Sequence, residues 1–509
     1  MLRFCAYAKA SSNLGAGTRH SDRVVRSRWV APEGVFLQTF FADLPANNRV
    51  MSSQTESLRN ALESNAFLRA RHGGEKAYVT IVAESSPDPV AASILLSQHF
   101  IRSGIPFAVK FVDGLTHSNE THLAAGPKIL LGYVNQPFQK EGSDILRVSH
   151  YSSWADDTSS SPPINPCAFG LNGATVASTS TMVFKLLQSD SAFSPDAAGL
   201  AVAGAVSAQP VMDVDRLSAL NREVLDDAVR TGKLSVVLGL KIPVAEKVAL
   251  SVPLSTMLEP FVPGVSGDPQ GSEALVHRIA RRKSITKIAG IVAGAEARAL
   301  FEELSAARVR AGFNEFAETR IVGNIYLDEE IPLNTPLRNI TGFATALEAC
   351  TMMGRQALLF KLALKTDFGT VEEISKVTGE YCAEVAGGVR LLLQSQDSYR
   401  ETQNAVYLLA AKSITRPVAL RIAKIICEHA SFRGKPTVIV VHLDTRSLVV
   451  ASISTGNERA VDLGKTFSSA AARYRGSGFG IPTAAQALVP PESVEPFLDD
   501  VDVLLGGGS

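Results

Sequence analysis

The sequence predicts an α/β protein, with a mainly parallel sheet in its first half, a helical connector, and a smaller α/β unit towards the C-terminus. Three observations lead there. Between residues 77 and 148, short β-branched runs alternate with helical periodicity, the pattern of a parallel sheet with crossover helices. Helical patterns then dominate from about Val176 to Arg230, and again from Glu273 to about Gly312. Near the end, Pro436–His442 and Leu448–Ser454 read as two strands around the turn Asp444–Ser447, a good hairpin signal.

In chain order, residues 1–50 are polar and mixed, with no apolar core followed by a small-residue cleavage site. They are read as a poorly ordered extension, with Met51 a plausible alternative start. Leu58–Leu68 is helical. Ala77–Ala83 is uncharged and rich in β-branched residues, so it reads as a buried strand. Pro89–Ile101 follows as a helix, with Asp88 as its N-cap and Pro89 in its first turn. Further strands are expected at Phe107–Val112, Ile129–Val134 and Asp144–Val148. The proline- and glycine-rich passage Glu259–Gly271 marks a boundary. A glycine-rich loop over Gly476, Gly478 and Gly480 precedes a last helix around Val494–Leu505. The expected division is therefore 1–50, 51–260, 261–315 and 316–509.

Composition narrows the function. The 509 residues carry 50 Lys+Arg and 50 Asp+Glu, so no global field draws in nucleic acid. Cys5, Cys167, Cys350, Cys382 and Cys427 are scattered without a CxxC pair, which fits free thiols in a reducing cytoplasm better than a disulfide framework or a zinc site. No stretch approaches the roughly 18 apolar residues of a membrane span.

Several ordered segments resemble archaeal RecJ-like proteins, which join a DHH phosphoesterase domain to a DHH-associated C-terminal domain. Asn165–Gly173 looks like the family's NPxxFGxDG stretch. Leu337–Cys350, followed by Met353–Arg355, resembles LRDxxxFATLLNAC. Val461–Gly464 with Gly476–Ala487 resembles the region of the GGGHxxAAGA loop. The resemblance spans roughly residues 58–505. It implies an N-terminal DHH domain (51–260), a helical connector (261–315) and a C-terminal DHH-associated domain (316–509).

In that family, aspartates and histidines hold two divalent metals, Mn²⁺ or Mg²⁺, that activate water and stabilise the oxygens of phosphodiester cleavage. Motif by motif, these ligands are missing here. HxDADG corresponds to Glu84–Pro89: Glu84 replaces the histidine, Ser86 the first aspartate, and only Asp88 remains. The strand-end aspartate of the second motif falls near Gly132. DHH falls on Ser149, His150 and Tyr151, and the aspartate of GAxGD on Ala208. In the C-terminal loop, Phe479 replaces a glycine and Ile481 the histidine. The expectation is a degenerate site with no catalytic residues, no metal and no cofactor.

Blander readings accompany the remaining candidates. His150 reads as a hydrogen-bonded pocket histidine. Gly476, Gly478 and Gly480 form either a structural turn or one whose amides approach a phosphate. Arg278, Arg281, Arg282 and Lys283 form the densest basic run, either a solvated helix face or a phosphate-contacting patch. Arg416, Arg421 and Lys424 sit on a helix before the last hairpin, with DNA contact as the lesser reading.

The resemblance implies a scaffold or clamp in an archaeal-style replicative helicase, since the family's inactive eukaryotic relative, the cell-division-control helicase cofactor, is held with the GINS complex and the MCM ring. Its groove would still accept single-stranded DNA. Two alternatives stay open: a Mn-dependent exonuclease or phosphodiesterase with displaced ligands, and a stand-alone single-strand binder.

Overall fold

The computed structural model describes residues 53–65, 67, 78–115, 126–133, 144–152, 163–209, 211–244, 247–283, 294–314, 321–364, 367–394, 399–409, 414–432, 434–454 and 462–507. The expected extension 1–50, the alternative start Met51, and Val461 lie outside the described residues.

After α1 (Ser53–Glu63), the strands β1 (Val79–Glu84), β2 (Phe107–Val112), β3 (Lys128–Leu131) and β4 (Ile145–Val148) form a parallel sheet in the order β2-β1-β3-β4. The helix α2 (Pro87–Ser103) crosses from β1 to β2. Every residue of β1 and β3 is buried, as expected for central parallel strands covered on both faces. The helical run then resolves into α3 (Gly173–Val176), α4 (Thr179–Gln188), α5 (Ala198–Ala208) and α6 (Ala219–Arg230). α5 is built almost wholly of Ala, Gly and Val and is buried on nearly all sides. At Gly204 a Cβ would come within 2.5 Å of the Ser180 hydroxyl and 2.9 Å of Ala91, so only glycine lets α5 approach α4 and α2 this closely.

β5 (Leu234–Leu240) pairs antiparallel with β6 (Val322–Asp328), and α7 (Ser251–Thr256), α8 (Pro269–Lys283) and α9 (Gly294–Arg310) lie between them in sequence with their own apolar core. α10 (Ile340–Met352), α11 (Gln356–Leu364) and α12 (Phe368–Gln394) follow. Ile340, Ala344, Leu347 and Leu359 share a core with α2, α4 and α5, so the packing around the first sheet draws on residues from both sides of position 316.

The C-terminal unit is a six-stranded mixed sheet with β7 (Tyr399–Glu401), β8 (Val406–Leu409), β9 (Thr437–His442), β10 (Ser447–Ser452), β11 (Ser477–Ile481) and β12 (Ala484–Val489), in the order β11-β12-β10-β9-β8-β7. The β9–β10 hairpin runs from Thr437 opposite Ser452 to His442 opposite Ser447. Period-two alternation divides its side chains. Ile439, Val441, Leu448 and Val450 face α13 (Arg416–Ile426), whereas Val438, Val440, Val449 and Ala451 face α14 (Leu463–Arg473) and α15 (Val494–Gly506).

The stretch read as a glycine-rich loop is strand β11, and this corrects that expectation. Glycine and serine carry little strand propensity of their own, so the strand is imposed by packing. At Gly478 a Cβ would sit 2.7 Å from the Phe467 carbonyl of α14.

Candidate functional site

The order β2-β1-β3-β4 reverses direction between β1 and β3. In open parallel sheets, the crevice beyond the carboxyl ends of strands at such a point is where ligands bind. The carboxyl end of β1 carries Glu84; Gly132 and Tyr133 follow β3, and Ser149, His150 and Tyr151 follow β4. The degenerate motif positions Glu84, Ser86, Asp88, His150, Tyr151 and Ala208 all line one cleft of about 360 Å³ between the two sheet units.

Glu84 is buried. Its Oε2 accepts the Tyr133 backbone N–H at 2.8 Å and its Oε1 the Tyr151 hydroxyl at 3.2 Å, with the Ser86 hydroxyl 3.3 Å from the same phenol oxygen. Burial pushes this carboxyl up to about 8, against the opposing pull of those hydrogen bonds, so it is largely protonated at neutral pH. Gly132 has φ +76°, and a Cβ there would lie 2.5 Å from Pro89 and 2.6 Å from Glu84 Oε2. The backbone at the second motif therefore excludes an aspartate.

Asp88 is not the N-cap of its own helix. Ser86 holds that position, and Pro87 occupies the first turn. The Asp88 carboxylate reaches across to the start of α4, where Oδ2 accepts the Thr179 N–H at 2.6 Å and Oδ1 the Ser180 N–H at 3.0 Å. His150 Nδ1 lies 3.1 Å from Asp88 Oδ2 and 2.9 Å from the Thr179 hydroxyl. Burial alone would raise the Asp88 carboxyl; the hydrogen bonds from His150 and Ser180 outweigh it and hold the group below its ordinary range. The last surviving aspartate is thus an anionic cap on another helix, held by a buried histidine. Ser149 accepts the Tyr151 N–H at 3.3 Å, and Ala208 ends α5 without a polar side chain.

From the other side of the cleft, β11 inserts Phe479. Its ring stacks on Tyr133 with centroids 4.6 Å apart and planes 18° from parallel, and meets Tyr151 edge-on at 5.0 Å. The Ser477 hydroxyl donates to the Leu115 carbonyl, fixing the strand against the first unit. Three aromatic rings fill the mouth of the switch point.

This donor set does not fit a pair of divalent cations. One carboxylate is spent on helix amides, the other accepts the Tyr133 amide and the Tyr151 hydroxyl, and Gly132, Ser149 and Ala208 offer no charge. Among the described residues, no group of three or more His, Cys, Asp or Glu side chains is placed to hold a metal ion.

The basic candidates part company. Arg278 and Arg281 lie on α8 away from the cleft lining; Arg278 pairs with Glu303 at 3.4 Å. Arg282 and Lys283 lie on the same helix, with side chains outside the described residues. Arg416, Arg421 and Lys424 on α13 line the cleft instead. Gly480 also lines it, from within β11, while Gly476 and Gly478 pack against β12 and α14. The sequence reading missed Glu348 and Tyr381, which share that lining. A lone charge inside the apolar run Phe343–Met352 was the available signal for Glu348.

No family model matches the sequence, and no curated protein matches it. Solved structures do. CDC45 from Entamoeba histolytica superimposes with a TM-score of 0.52 at 12% identity, over 89% of this chain and 99% of that one. RecJ from Thermus thermophilus, in complex with Mn²⁺, gives 0.50 at 12% identity over 89% of this chain and 55% of its own. The fold is that of CDC45 and RecJ. The chain spans about half the length of the Thermus RecJ. It thus shows the RecJ-like DHH architecture that the motifs imply, a parallel sheet with a helical middle and a separate C-terminal sheet. No helix among the described residues is long and apolar enough to cross a membrane.

Proposed function

We propose that this chain is a RecJ-type protein without nuclease chemistry, acting as a cytoplasmic scaffold in a replicative helicase assembly with the GINS complex and the MCM ring as partners. The observation that carries this reading is Phe479 stacked on Tyr133, over a Glu84 carboxyl already claimed by the Tyr133 amide and the Tyr151 hydroxyl. Two-metal hydrolysis needs hard anionic oxygens free to face a substrate phosphate. Here rings and backbone amides take up those positions. The likeness to CDC45 spans 99% of the Entamoeba chain, against 55% of the Thermus RecJ, and supports a CDC45-like extent for this chain. On this reading the division at 51–260, 261–315 and 316–509 corresponds to degenerate DHH domain, connector and DHH-associated domain, and the cleft guides single-stranded DNA without cutting it.

Two measurements test the two halves of the proposal. Purified protein is incubated with 5′-labelled single-stranded DNA and Mn²⁺ while metal uptake is followed by calorimetry. Neither cleavage nor uptake is expected, and cleavage abolished by Asp88→Asn would restore the nuclease reading. Affinity purification from native cells is expected to recover GINS and MCM subunits; their absence would remove the helicase role.

A further inference from the structure

A second cavity, of about 230 Å³, lies among α2, α5, α10, α11 and the end of β6, and it shares no lining residue with the cleft. Its wall is largely apolar, with Leu200, Phe343, Leu359 and Leu362 all buried. Two acceptors interrupt that wall. Gln98 donates Nε2 to the Ala363 carbonyl at 2.9 Å, which fixes the orientation of the amide and leaves Oε1 buried without a hydrogen-bond partner. Asp328, 4% exposed, has one carboxylate oxygen engaged: Oδ1 accepts the Glu330 N–H at 2.9 Å in the turn that ends β6. Buried acceptors without donors are costly, and charged ones more so.

An asparagine would close the same turn without burying a charge, so the turn does not account for the carboxylate. Oδ2 lies beside Gly199 in the first turn of α5, where the helix dipole favours an anion, but no N–H is bonded to it. Arg338 favours the anion through space, yet its N–H groups go to the Asp328 and Ile331 carbonyls and to Glu329. Glu329 and Glu330 act against the anion. Burial, the largest effect, pushes the carboxyl up to about 6, which leaves it mostly ionised at neutral pH. The other lining carboxylates are answered: Lys233 pairs with both Asp196 and Glu330, and the exposed Arg102 also acts on Asp196. Asp328 makes no ion pair among the described residues. A charged acceptor and a neutral one in an apolar wall suit a positively charged N–H donor on a hydrocarbon stem.

We propose that this cavity binds an organic cation, with Asp328 and Gln98 Oε1 accepting from an ammonium or guanidinium group and the apolar wall covering its stem. The cavity is just under the roughly 300–1,000 Å³ of pockets for drug-sized molecules, so the ligand is of side-chain size. It is either a free small amine or the tip of an arginine or lysine on a protein segment. Ile101 and Leu364, each adjacent in sequence to a lining residue, are 52% and 60% exposed and offer such a segment apolar surface. The site does not depend on the helicase role, and its failure would leave the partner test untouched.

The full chain is titrated calorimetrically with pentylammonium, pentylguanidinium, uncharged pentanol and a capped leucine–arginine–leucine peptide. Single-site binding of a cationic probe is expected, with pentanol weaker by about tenfold. Asp328→Asn keeps the turn and removes the charge, and should weaken that binding about tenfold without lowering the melting temperature. Gln98→Met keeps the stem, removes the amide, and should weaken it severalfold. If Asp328→Asn does lower the melting temperature, Gln98→Met carries the test alone. Tighter binding of the peptide than of pentylguanidinium assigns the ligand to a protein side chain; the reverse assigns it to a free amine. No binding by any cationic probe at millimolar concentration, pentanol binding as tightly as pentylammonium, or binding unchanged in both variants would overturn the site.

Discussion

Phe479 lies nearly parallel to Tyr133, 4.6 Å between ring centroids, and through this stack the last sheet of the chain closes over the carboxyl end of the first. The contact also touches Tyr151 and sits against Gly114, where a Cβ would come within 2.9 Å of the Phe479 ring. Phe479→Ala is expected to lower unfolding free energy by about 3–5 kcal/mol, the usual cost of emptying a buried aromatic site. Denaturant unfolding checks this, and a loss under about 1 kcal/mol would mean the ring is not holding the two units together.

Glu84 should make stability fall as pH rises. Its folded carboxyl titrates at about 8, against an ordinary value of 4.5. A raised folded value gives a contribution that is full below the unfolded value and lost as pH climbs through the folded one. Glu84→Gln, which mimics the protonated acid, should therefore gain on the parent protein by on the order of 2 kcal/mol between about pH 6 and pH 8.5. Parallel melting curves across that range would show it; a constant gap would refute it.

Asp88 behaves in the opposite sense. Its folded carboxyl is held below the ordinary 3.8, so its contribution is present above that value and lost as pH falls through the folded one. Asp88→Asn replaces one acceptor by a donor facing the amides of Thr179 and Ser180. A loss of about 2–3 kcal/mol at pH 7 is expected, together with a shallower acid-unfolding transition below about pH 4. Equal stability of the two proteins at pH 7 would show that the helix cap is dispensable.

Gly132→Asp places at this position the carboxylate that the resemblance implies for the second motif, yet it should destabilise. The site's φ of +76° alone costs a side chain about 1–3 kcal/mol. Contact with Pro89 and Glu84 adds to that. Thermal melting and Mn²⁺ calorimetry on this variant should give a lower melting temperature and no metal uptake; a stable, metal-binding variant would contradict the geometry.

Much of the fold was legible because β-branched runs form strands wherever they are buried. Phe107–Val112 matched to the residue, and the hairpin at 437–452 fell within two residues of its expected limits. The motif positions were also legible, because their spacing survives even where the residue types do not. Their partners were not. Asp88 meets Thr179 across 91 residues, and Arg421 meets Glu348 across 73, and no local pattern encodes contacts made only after the chain has packed. Strand β11 was hidden for a related reason: its glycines look like a loop until α14 is set against them.

The left-handed backbone at Gly132 has a bearing on redesign. To hold a metal pair at this point, the chain would have to bend that residue into another conformation, withdraw Asp88 from the end of α4, and retract Phe479 from the mouth of the switch point. Each of these changes, taken alone, breaks contacts that the fold now makes. Three separate parts of the molecule thus lock one another in place, and a metal pair could be built here only by changing all three together.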